Sequence, residues 1–171
     1  MSSKYSLIFI SIILFINISC KRENSDVKYN DTLVECKNSI DSCFFIFSKQ
    51  INDVLNKEQY SLIAEYCEIT TDSLNNKIKQ IQMLETSVND VNFKDKLIKY
   101  CESVRNVVTS YNNLGIFSDE GISIQQLDSI SIIINQAEKD VKVSLNNLLQ
   151  AQDKYAKEAN LKLETNIKPS R

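Results

Sequence analysis

Two glycines, Gly115 and Gly121, and one proline, Pro169, are all that 171 residues contain of the residues that build tight turns. A sandwich, barrel or α/β sheet needs many reversals, so a chain this poor in turn formers must be made of a few long elements. The apolar residues recur at spacings of three and four rather than two, which makes those elements helices.

The first helix is predicted over about 31–55, with Leu33, Cys36, Ile40, Cys43, Phe47, Ile51 and Val54 along one stripe. Asn56, with Gln59 three residues on, reads as the capping box of a second helix. That helix keeps its stripe through Ile63, Cys67, Leu74, Ile78, Ile81 and Leu84 to about Val88 and is broken by Asn89-Asp90. A third starts near Asp90 or Asn92 and runs through Phe93, Leu97, Cys101, Val104, Val108 and Tyr111 to Leu114, where Gly115 can take the left-handed conformation that closes a helix. After the linker 116–122, Ser123 and Gln126 form a second capping box, and the stripe from Ile124 to Tyr155 carries a fourth helix toward Leu161. The β-branched run Ile130–Ile134 favours strand locally, but its flanks keep helical spacing, so it reads as helix buried on more than one side.

Four such stripes with short connections predict an all-α fold, an elongated antiparallel up-down-up-down four-helix bundle over residues 31–164. The alternative is one extended helical hairpin that dimerises. Residues 165–171 are expected to be a flexible tail, since Pro169 stops helix. A fourth helix of about 39 residues would outrun a third of about 24 by ~20 Å. Leu148, Tyr155, Ala159 and Leu161 on that overhang are thus the candidate partner surface.

The first twenty residues carry a different message. Lys4 precedes an almost wholly apolar run from Leu7 to Ile18, too short to span a ~30 Å hydrocarbon core, and Ser19 stands before Cys20. Asn17-Ile18-Ser19-Cys20 resembles the lipobox of bacterial lipoproteins. The resemblance covers residues 1–20 alone; it implies removal of 1–19, diacylation on the Cys20 sulfur, acylation of the new amino terminus, and anchoring to a membrane of the bacterial cell envelope. Residues 20–30 are then expected to be a polar lipidated tether.

The chain carries 20 Lys and Arg against 22 Asp and Glu, a net −2 that becomes about −3 if Lys4 leaves with the leader. That balance lacks the clustered basic face nucleic acid requires. The chain has no histidine, which removes the commonest general base and transition-metal ligand, and two glycines cannot build a phosphate loop. Asp119-Glu120-Gly121 lacks the alternating ligands of a calcium loop, and Glu65, Glu68, Asp72, Glu138 and Asp140 read as exposed helix charge. Tyr60, Tyr66, Tyr100, Tyr111 and Tyr155 could line an inter-helix pocket, or could sit at the core margin with wetted hydroxyls. No catalytic residue, metal site or cofactor is assigned.

Four cysteines follow Cys20, an even number in a chain read as exported, which favours disulfides over reduced core thiols. A zinc site would lack any C-x-x-C pair. Cys36 and Cys43 lie seven residues apart on one helix, ~10.5 Å, beyond bridging distance. Height along antiparallel helices then pairs Cys43 with Cys67 and, between the first and third helices, Cys36 with Cys101. The expected role is noncatalytic: a lipid-anchored interaction or structural module holding a protein partner at the outer membrane or cell surface. The alternative is a binder of a small apolar ligand in an inter-helix groove.

Overall fold

A computed structural model describes residues 3–115 and 124–163; for 3–24 and Ile124 the description is of backbone only. Four helices make an all-α bundle: α1 Ser3–Asn56, α2 Leu62–Met83, α3 Phe93–Gly115 and α4 Ile124–Glu158. No strand occurs among the described residues. The β-branched run is helical, because nothing at its flanks interrupts the 3.6-residue period. It is buried on one side only: Ile130 and Ile134 face the core, while Ile132 and Ile133 are exposed.

Leu33, Ile40, Phe47, Ile51 and Val54 of α1 meet Ile63, Cys67, Leu74, Ile78 and Ile81 of α2 and Leu97, Tyr100, Cys101, Val104 and Val108 of α3 in one continuous core. These three helices each touch the other two, and α4 packs along α3. A hydrogen bond between Ser103 and Ser144, 2.6 Å, fixes the α3–α4 register. Counting from it, Gly115 is level with about residue 132, so α4 projects beyond α3 at its N-terminal end by roughly eight residues, ~12 Å.

The helix ends depart from expectation in instructive ways. Asn56 does not cap α2; it is the last residue of α1, and the chain turns through Glu58 in the left-handed region. Helix α2 begins after Ser61, which makes no side-chain cap. Helix α2 also stops at Met83 rather than Val88, since Leu84 is extended. The carbonyls freed there accept from the Lys94 ammonium, Gln82 O at 3.0 Å and Leu84 O at 2.5 Å. Gly115 is not in the left-handed region. It is small because α2 crowds it: a Cβ there would stand 3.2 Å from the Ala64 amide nitrogen. At the end of α4, Asn160 takes the left-handed conformation, and Leu161 N–H donates to Ala156 O at 2.7 Å in a Schellman closure.

The boundary drawn at Asp31 is corrected too. Residues 20–30 continue α1, and Asp26 and Tyr29 are buried in the body. They sit seven and four residues before Leu33, on the same stripe extended backward. The linker 116–123, with Asp119, Glu120, Gly121 and Ser123, and the tail 165–171 lie outside the described residues.

Candidate functional site

The burial of Asp26 organises one end of the bundle. Only 3% of its surface is exposed, and an acidic group so placed needs donors around it. Three side chains supply them: the Ser87 hydroxyl donates to Oδ1 at 2.6 Å, the Asn89 amide to Oδ2 at 2.7 Å, and the Tyr155 hydroxyl to Oδ1 at 3.0 Å. One turn further along α1, the Tyr29 hydroxyl donates to Asp90 Oδ2 at 2.5 Å. The two oxygens of Asp90 also accept from the Phe93 and Lys94 amides, capping α3. The rings of Tyr29 and Phe93 pack on Tyr155, with centroids 5.5 and 5.8 Å away. This clasp joins α1, the α2–α3 connection and α4, elements separated by up to 129 residues of sequence.

Its electrostatics hold the phenols neutral. Burial, helped by the hydrogen bond to Asp90, pushes Tyr29 well above the ordinary tyrosine range. Burial, opposed by Ser87 and helped by Asp26, pushes Tyr155 up to about 12. A neutral phenol donates to a carboxylate, which is the pairing observed; a phenolate beside Asp26 or Asp90 would repel it. The clasp is therefore built to bind its own parts together. Beside it opens a cleft of about 430 Å³, with Ser25, Lys28, Tyr29 and Thr32 on one wall and Leu84–Val88 on the other.

The residues singled out from sequence fall differently. Leu148, Tyr155 and Ala159 are buried and Leu161 packs against the core, so they form no open partner surface. The stretch expected to be a tether packs on Tyr155, through the Tyr29 ring and Asp26, and Gln152 donates to Asn30 at 3.2 Å. Of the pocket tyrosines, Tyr100 is buried and donates to Asp41 at 2.6 Å, Tyr111 packs edge-on against Phe47, and Tyr60 and Tyr66 lie half-buried against the core. The phenol of Tyr100 is raised by burial and by Asp41. Tyr29, absent from the predicted set, is the tyrosine that lines the cleft.

Cys36, Cys43, Cys67 and Cys101 are free thiols. The predicted Cys43–Cys67 pair fails on register: Cys43 lies against Ser73, 3.7 Å away, and Ser73 is six residues, ~9 Å, along α2 from Cys67. Cys101 lies close enough to Cys36 and to Cys43 to feel the charge of each, but no bond joins it to either. The error lies in the reference point, since α1 starts earlier and α2 later than the stripes implied. Cys67 and Cys101 instead reach backbone carbonyls, Val108 O at 3.2 Å and Leu74 O at 3.6 Å. Burial pushes Cys67 up to about 11; burial, opposed by Arg105, pushes Cys101 up to about 12. Both behave as small core hydrophobes.

Among the described residues, no group of three or more Cys, Asp or Glu is placed to hold a metal ion, and no helix is long and apolar enough to cross a membrane. The Cys20 side chain lies outside the described residues. Compared with protein-family models, curated proteins and solved structures, the chain shows no match to any.

Proposed function

We propose that the chain is an exported bacterial lipoprotein, anchored through acyl chains on Cys20, whose helical body serves without catalysis as an interaction or structural module at the cell envelope. The favoured location is the outer membrane or cell surface, and the favoured partner is a protein rather than nucleic acid. One observation carries this reading beyond the lipobox resemblance: α1 is a single helix through Cys20 into the clasp. Asp26 follows Cys20 by six residues, ~9 Å of helix. A force on the lipid would therefore act on an element bonded to the α2–α3 connection and to α4, rather than on a loose tether. A rigid mount of this kind suits a module that presents its flanks to another macromolecule.

The test is detergent-phase partitioning of the chain expressed in a bacterium. The wild-type protein should enter the detergent phase as a processed species, and Cys20→Ala should remain unprocessed. Equal water solubility of the two would overturn the anchor. Stable anchoring needs more than one acyl chain, as this class of lipidation supplies.

A further inference from the structure

We propose that the α2–α3 connection is a second membrane contact, lying in the headgroup layer beside the anchor and setting the tilt of the bundle on the bilayer. The inference rests on the anchor reading and gives it a geometry. Among the described residues, the two most exposed large apolar side chains are Met83, 86% exposed, and Val88, 81% exposed. They bracket one short connection, and Val27 on the adjoining turn of α1 is exposed as well. Ser87, between them, is hydrogen-bonded to Asp26, which fixes the connection at the end of the bundle from which α1 leads back to Cys20.

Distance supports the same occupant. From Cys20 to Asp26 the helix rises ~9 Å, while one headgroup layer is ~5–7 Å thick, so a modest tilt of α1 brings Met83 and Val88 into that layer. The connection is not free to retreat. Asp90 caps α3, Lys94 holds the last carbonyls of α2, and Ser87 and Asn89 are tied to Asp26, so the apolar side chains are displayed on a fixed frame. Charge decides the kind of surface. Lys28 and the connection's Glu85 both line the cleft, a balance that matches a zwitterionic headgroup layer rather than a strongly anionic one.

The chain contains no tryptophan, so single substitutions report their own surroundings. Full-length lipidated Met83→Trp and Val88→Trp, reconstituted in phosphatidylcholine vesicles carrying brominated acyl chains, should show blue-shifted, quenched emission. Ile69→Trp, exposed on α2 and ~21 Å from Met83 along the helix, should show neither. On the unsubstituted chain, amide exchange across 84–92 should slow when vesicles are added. If the protein floats with vesicles but Met83→Trp and Val88→Trp emit like Ile69→Trp and exchange is unchanged, the second contact is overturned and the anchor stands. If the protein does not float, the anchor reading falls and this inference with it.

Discussion

The two ends of the bundle are closed by different means. At the anchor end, side chains do the work: Asp90 caps α3, the Lys94 ammonium closes α2, and Asp26 gathers Ser87, Asn89 and Tyr155. At the far end, the turn from α1 to α2 is held by backbone bonds, such as Gln59 N–H to Val54 O at 3.0 Å, with Glu58 in a conformation that suits glycine. There α4 projects past α3, and Leu127, Ile132 and Ile133 are exposed. The comparison teaches that helices of unequal length need only one end matched by long-range polar contacts. The surplus length of α4 then collects at the other end, where its backbone bonds need no partner helix.

The comparison breaks most visibly at Tyr155. Tyr155→Ala removes a fully buried ring that packs edge-on against Tyr29 and at a tilt against Phe93, together with the donor to Asp26. It should cost about 3–5 kcal/mol, against less than about 0.5 kcal/mol for Ile132→Ala at the exposed end. Urea unfolding of both variants measures the contrast; comparable losses would mean that the clasp is not where stability concentrates.

Alkali should act on the buried thiols of the core and then on the anchor end. A phenol whose folded pKa lies above its ordinary 10 contributes stability that is complete below pH 10 and is lost as pH rises through the folded value. For Tyr155 that window is pH 10 to about 12, and Tyr29 and Tyr100 shift the same way. The denaturant midpoint should begin to fall near pH 9, where unfolding frees the buried Cys67 and Cys101 thiols to ionise, and should fall further above pH 10, less steeply there in Tyr155→Phe. A wild-type profile that is flat to pH 12 would show that these phenols do not sense folding.

At the far end a small change of opposite sign is expected from the backbone. Glu58→Gly relieves a left-handed side-chain conformation at φ 56° and should stabilise the protein by up to about 1 kcal/mol. Thermal unfolding reads it, and destabilisation would show that Glu58 makes a contribution its backbone conformation hides.

Much of the fold was legible in the residues: Leu33, Ile40 and Phe47, or Leu97, Cys101, Val104 and Val108, recur at helical spacing and are buried together. The clasp was not. Asn89-Asp90 signals a break, but Asp26 in a polar stretch carries no mark of burial; only the backward extension of the stripe through Tyr29 could have pointed there. Gly115 was readable as special and misread in kind, since a close helix approach and a left-handed turn ask for the same residue.

The sequence by itself determined four helices, because scarcity of glycine and proline and a 3.6-residue apolar period are local properties that each segment expresses alone. The tertiary structure decided register: which end α4 overhangs, which thiols lie level, and which carboxylate is buried. Register is set by contacts between residues as far apart as Asp26 and Tyr155, and a helix stripe looks the same after sliding by one turn. Only the polar groups that must find partners at a single height choose among those positions.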